Sequence, residues 1–185
     1  EHCADKSNYK LYKCQKKGPA AARNMGIKYS SGDYLSFLDV DDSISPKKYS
    51  ILSEVAKKYP KYKIIFGIGR KMDNKDHYVN IDYGDIVPGE NKAPTHGILW
   101  LSQFQHQVHP GAILVHHSAV KEIRGFPEEL FYGEDIAFMV KLGLKYDSFF
   151  VEKIVYTNNQ NDLSITSIAD KNLTINERFY HFYKY

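Results

Sequence analysis

The chain has 185 residues, 43% of them hydrophobic and 14% aromatic, which is enough to bury the core of one ordinary domain and too apolar for a disordered tail. Its 25 Lys and Arg against 22 Asp and Glu leave a formal charge of +3, too balanced for an obligate nucleic-acid binder. Two cysteines, Cys3 and Cys14, are too few for a disulfide framework or a zinc ribbon, so free thiols in a reducing, cytoplasmic setting are expected. No apolar run approaches the ~18 residues of a membrane span, and residues 1–6 lack the apolar stretch of a secretory leader.

Short apolar runs alternate with amphipathic segments along the chain, which predicts an α/β fold. Residues 34–38 (Tyr-Leu-Ser-Phe-Leu) read as a strand covered on both faces. They run into the acidic cluster Asp39-Val40-Asp41-Asp42, after which Ser45-Pro46 offers an N-cap and a first-turn proline. A helix is predicted from there to about Tyr59, with Tyr49, Leu52, Ala56 and Tyr59 on its apolar face and Pro60 as its stop. Residues 63–67 form the next predicted strand. From Asp73 to His109 periodicity fades among Asp, Asn, Gly and Pro, the pattern of a functional or mobile connection. Order returns with a strand over 111–115, a short helix near 118–123, the turn Arg124-Gly125-Phe126-Pro127, a helix over 134–144 and a strand over 149–156. A C-terminal helix is predicted at about 169–185, so residues 1–185 are expected to form a single domain. Core packing explains the aromatic tail at 179–185 better than a lipid interface does.

Two carboxylates one residue apart, at the end of a buried strand, project into the crevice where α/β sheets bind ligands. They make an oxygen-rich site for a hard divalent cation, which in turn neutralises phosphate oxygens. Aspartate is also a common turn former after a strand, and the cluster alone does not separate the two readings. The histidines in His106-Gln107-Val108-His109 and His116-His117 have neither the intervening Glu nor the cysteine partners of zinc motifs, and no pattern selects one of them as a ligand.

The wider context is more specific. Upstream of the acidic cluster stands Gly18-Pro19-Ala20-Ala21-Ala22-Arg23-Asn24-Met25-Gly26, and Gly32-Asp33-Tyr34 leads into it; downstream come Gly125-Phe126-Pro127-Glu128 and Gly133-Glu134-Asp135. In this order and at these separations the motifs resemble the family 2 glycosyltransferases, over about residues 18–157. The resemblance implies a GT-A (Rossmann-like) mixed sheet flanked by helices, and inverting transfer of a sugar from a nucleotide donor, a UDP-sugar being the first expectation. It implies Asp39 beside the donor's ribose, Asp41 as ligand of the Mn²⁺ or Mg²⁺ that bridges the diphosphate, and Asp42 assisting through water. It also implies Arg23 near the donor and Asp135 as the base that deprotonates the acceptor. Glu134 either orients the acceptor or only caps its helix, and Asn24 is a weaker candidate that also fits a turn cap. The acceptor is expected to be a saccharide or lipid-linked intermediate of bacterial surface polysaccharide synthesis, with the basic surface lysines offering peripheral contact to the inner face of the membrane.

Family members begin with a βαβ unit that holds the nucleotide base, and nothing here matches it, so the chain is expected to be a partial GT-A domain. Two alternatives stay open. One is a non-catalytic partial GT-A binding module. The other is a haloacid-dehalogenase-like phosphohydrolase with Asp39 as nucleophile and Asp41 as general acid.

Overall fold

In the computed structural model, residues 10–72, 77–102, 106, 108–130 and 132–159 are described. The predicted helix at 169–185, the aromatic tail, Cys3 and Asp73 lie outside them. The elements in chain order are α1 (Pro19–Tyr29), β1 (Tyr34–Leu35), β2 (Ser43–Ile44), α2 (Lys48–Lys58), β3 (Ile64–Met72), β4 (Tyr78–Asn80), β5 (Gly89–Asn91), α3 (Thr95–Ser102), β6 (Ile113–His116), α4 (His117–Glu122), α5 (Glu134–Lys145) and β7 (Ser148–Asn158). The strands form one mixed sheet in the order β1-β6-β3-β7-β2, with β4 added to β3 and β5 to β7. Among the described residues only the β3–β7 pair is parallel.

The central strand explains the arrangement. Ile64, Ile65 and Phe66 have no exposed surface, as expected of a strand covered on both faces. Phe66 stacks on Phe150 of β7 at 5.0 Å and meets Trp100 of α3 edge-on at 6.0 Å, which joins sheet and helix layer in one core. On the helix layer, α3 crosses α5 where Gly97 faces Gly143. A Cβ on Gly97 would lie 2.3 Å from the Leu144 amide nitrogen, so the close approach needs hydrogen there.

Several boundaries differ from those predicted. The strand expected over 34–38 is paired only at Tyr34 and Leu35, opposite His116 and Val115. Beyond Leu35, the Ser36 hydroxyl donates to the Ile113 carbonyl at 3.3 Å, occupying the group that a continued ladder would use. The segment then swings outward, leaving Leu38 half exposed and Val40 fully exposed, so the expected cover on both faces fails there. The other edge of β1 has no strand partner among the described residues. Helix α2 starts at Lys48 rather than at Pro46, because the Ser45 side chain accepts from the Lys47 amide and turns the chain for two residues first. Its buried face is Lys48, Leu52 and Ala56, while Tyr49 is 50% exposed. The stretch from 73 to 109, which lacked a readable period, contains β4, β5 and α3, each too short for periodicity to register.

Gly97→Ala should cost about 1–3 kcal/mol, the usual penalty of overpacking where backbone is the obstacle. Urea denaturation of the two proteins, compared at equal m-value, measures it.

Candidate active site

The site forms where three segments, distant in sequence, are held together by one side chain. Arg23 lies on the inner face of α1, with its side chain only 11% exposed. Its Nη2 donates to both carboxylate oxygens of Asp39 at 2.9 Å, and Nη1 donates to Glu134 Oε1 at 2.9 Å. The planar fork of a guanidinium suits two such acceptors at once. Beneath it, Phe126 and Phe138 stack at 3.9 Å, Phe37 meets both edge-on, and the Arg23 guanidinium carbon sits 5.2 Å from the Phe126 ring centre. These three rings come from the segment between β1 and Asp39, the turn after α4, and α5. The apolar floor therefore joins the segments that carry the polar groups.

Asn24, next along α1, fixes that turn. It accepts from the Phe126 amide at 2.9 Å and donates to the Phe126 carbonyl at 2.8 Å and to Glu128 at 2.9 Å. Its role is a link to the Gly125–Phe126 turn rather than a cap within its own helix. Gly125 itself has φ +68, and a Cβ there would lie 2.5 Å from Asn24 Oδ1.

The acidic turn after residue 38 is closed by the Asp42 amide donating to the Asp39 carbonyl. Asp42 points inward: it accepts from the Tyr156 hydroxyl and, at 3.0 Å, from the Asn159 amide. Burial raises the Asp42 pKa, and those donors together with nearby His109 oppose the shift. Tyr156, buried at the end of β7, is pushed far up by burial and by Asp42. Its ring stacks on His109 at 4.7 Å and 9°. His109 Nδ1 accepts from the Gly111 amide at 3.1 Å, which puts the neutral ring's proton on Nε2, 4.0 Å from Asp39 Oδ2. Asp39, Asp42 and His109 thus place ligand atoms within 4.8 Å of one another. Asp41 lies on the exposed side of the same turn, outside that group.

At the start of α5, Gly133 (φ +78) turns the chain so that Glu134 and Asp135 occupy the first helical turn, where the helix dipole favours negative charge. Glu134 is buried against Arg23; burial, then the neighbouring Asp135 charge, raises its pKa, and Arg23 opposes them. Asp135 is half-buried, accepts at 2.8 Å from the Ile136 amide, and makes no ion pair among the described residues. A groove of about 420 Å³ opens beside Asp39, between α1 (Ala22, Arg23, Ile27) and the segment 35–40.

The sequence-predicted Arg23, Asp39, Asp42 and Glu134 are therefore in one site, with Asp135 adjoining Glu134 and Asp41 beside Asp42. Two members were missed. His109 sat at the end of a stretch with no period, where its one signal was the following Pro110-Gly111; Tyr156 looked like the last apolar residue of a strand. Two neighbouring histidines make local bonds instead, His116 to Ser118 and His117 to the Gly32 carbonyl.

Comparison with known proteins defines the class. The described fold matches solved GT-A glycosyltransferases. S. aureus TarS (residues 1–349) superposes with TM-score 0.61 at 19% identity over 77% of this chain and 40% of that one. The same protein in complex with UDP-GlcNAc gives TM-score 0.63 at 19% identity, over 81% and 41%. Among curated relatives, the pre-mycofactocin glycosyltransferase of Mycobacterium tuberculosis is 29% identical over 139 residues, 68% of this chain and 26% of its own length. An uncharacterized glycosyltransferase of Haemophilus influenzae is 58% identical over 31 residues, 17% and 12% of the two chains. The chain thus spans about a quarter of the length of the Mycobacterium relative and about two fifths of TarS. The sequence profile of glycosyl transferase family 2 matches residues 1–124, and the chain belongs to that family. This membership sets aside the phosphohydrolase alternative. The profile match ends before Glu134 and Asp135.

Arg23→Met should destabilise the protein by about 2 kcal/mol. Breaking a fully buried pair costs about 3–5 kcal/mol, and the loss is smaller here because Asp39 stays 35% exposed and so partly solvated. Chemical denaturation at pH 7 reads the loss, and Arg23→Lys, which cannot fork between two acids, should recover less than half of it.

Proposed function

We propose that this domain transfers a sugar from a nucleoside-diphosphate donor, a UDP-sugar in the first instance, to a hydroxyl acceptor with inversion at the anomeric carbon. The observation that carries the reading is the Arg23 bridge, which brings Asp39 and Glu134 into one site in a chain of family 2. The TarS structure in complex with UDP-GlcNAc supports the choice of donor class.

In this reading the donor lies in the groove beside α1, with Asp39 toward its ribose. Arg23 keeps Asp39 in place and neutralises charge near the donor. Asp135 faces the acceptor: its carboxylate takes the hydroxyl proton as the acceptor oxygen bonds to the anomeric carbon, and the bond from that carbon to the diphosphate oxygen breaks with its electron pair leaving on the diphosphate. Glu134, held by Arg23, sets the orientation of the helix turn that presents Asp135 and borders the acceptor.

Two carboxylates and an imidazole are a donor set that Mn²⁺ accepts, and Mg²⁺ through the oxygens. Asp39, Asp42 and His109 would hold the cation, with Asp41 adding a carboxylate from the solvent side. His109 Nε2 joins only when its proton moves to Nδ1 and the Gly111 contact is released. When bound, the cation supplies electrostatic stabilisation of the diphosphate charge.

The acceptor we favour is a saccharide or lipid-linked intermediate of bacterial surface polysaccharide synthesis, met on the cytoplasmic side with peripheral membrane contact. Among the described residues no helix is long and apolar enough to cross a membrane.

Asp135→Asn keeps size and most hydrogen bonding but removes basicity. We expect kcat to fall by ~10²–10⁴ with donor affinity kept, and Glu134→Gln to cost less. Near-normal kcat in Asp135→Asn, or an equal loss of donor binding, would remove Asp135 from this role. The cation assignment has its own check. EDTA should abolish transfer, and Asp42→Asn should weaken Mn²⁺ binding in calorimetry more than Asp41→Asn does. For the wild type, affinity should fall as pH drops through the raised Asp42 pKa, because protonation removes a ligand oxygen's charge.

A further inference from the structure

Lys48 is the first residue of α2 and has no exposed surface, although lysine is rarely buried without an acid to pair with. Among the described residues it makes no ion pair. Its Nζ donates instead to the Ser36 hydroxyl at 2.7 Å and to the Gly111 carbonyl at 2.6 Å. Burial pushes its pKa down to about 8, the direction expected of an ammonium that loses water without gaining a carboxylate. An apolar side chain of the same length would fill the same space in α2 but would leave the Ser36 hydroxyl and the Gly111 carbonyl without this donor.

The two acceptors show what the ammonium does. Ser36 lies three residues before Asp39, at the point where the chain leaves the β1–β6 ladder, and its hydroxyl passes the contact on to the Ile113 carbonyl. Gly111 follows His109 by two residues; its amide holds His109 Nδ1 until a cation takes Nε2, and in either state its missing Cβ admits the Tyr156 ring, since a Cβ would lie 2.2 Å from that ring. Tyr156 in turn stacks on His109 and donates to Asp42. Lys48 therefore ties, from beneath the site, the segment that ends in Asp39 to the turn that sets His109 and Tyr156. Among the described residues neither acceptor has another charged partner that could replace it.

Resting on the glycosyl-transfer reading above, we propose that Lys48 is a positioning residue for the reaction, one whose ammonium fixes the separation between Asp39 and the His109–Tyr156 pair and so shapes the cation and diphosphate end of the site. It touches no substrate in this role; it acts through Ser36 and Gly111. Outer partners of ligating groups commonly change metal affinity 10–100-fold when removed.

The test compares wild type, Lys48→Met and Lys48→Ala in the whole protein, by melting temperature, calorimetry with Mn²⁺ and with UDP, and steady-state transfer from UDP-GlcNAc. Lys48→Met should stay fully folded at the assay temperature, bind Mn²⁺ at least ten-fold more weakly and lose at least ten-fold in kcat with little change in KM. Lys48→Ala should regain Mn²⁺ affinity when propylammonium is supplied to fill the vacated space. Wild-type Mn²⁺ affinity and kcat in Lys48→Met overturn the proposal, as does a loss that follows a fall in melting temperature and is not restored by the amine. If the wild type itself binds neither Mn²⁺ nor UDP, the glycosyl-transfer reading fails first and this role with it, an outcome separable from a defect confined to the variants.

Discussion

The Arg23 guanidinium, set between Asp39 and Glu134, is the interaction on which the site depends. Without it, two carboxylates from opposite halves of the chain would face each other across a partly dry space, and Glu134, already pushed toward its protonated form, would be further discharged. The stacked Phe126 and Phe138 and the edge-on Phe37 hold the same three segments by apolar contact. Charge and core packing act on the same positions, so the geometry of the acids is set by the hydrophobic core as much as by electrostatics.

Around this bridge the protein takes several charged groups partly or wholly out of water. Asp42 under Tyr156, Glu134 under Arg23, and Lys48 under Ser36 and Gly111 each lose hydration that their partners return only in part. Each is kept together with its partner, since removing one member alone would leave the other without its hydrogen bonds. Their concentration beneath one end of the sheet, where β6, β7 and the acidic turn converge, fits a site arranged for anionic chemistry.

The glycines serve the same end. Gly111 admits Tyr156 against the turn that carries His109, Gly125 admits Asn24, and Gly133 turns the chain into α5 so that Asp135 begins a helix. In each case a backbone approach too close for a Cβ, or a left-handed φ, puts a polar side chain where a longer connection would leave it loose. The link from Asn24 to the Gly125–Phe126 turn also makes α1 and the approach to α5 a single mechanical unit.

Much of this was legible in the amino-acid sequence because the signals are local. The start of the strand at Tyr34-Leu35, the Gly133-Glu134-Asp135 helix start, and the strongly periodic α5 depend on residues one to four positions apart, and they appear where expected. The partners of Arg23 were not legible, since one of them lies 111 residues away and only the return of the chain brings it near. Nor was the identity of the buried face of α2: hydrophobicity favoured Tyr49, yet the helix begins one turn position differently and buries Lys48, because two polar acceptors, Ser36 and Gly111, wait on that side. His109 and Tyr156 entered the site for the same reason. Composition and spacing determined which elements form and which acids end them; the tertiary structure alone decided which polar groups meet, because that depends on contacts between segments that no local pattern encodes.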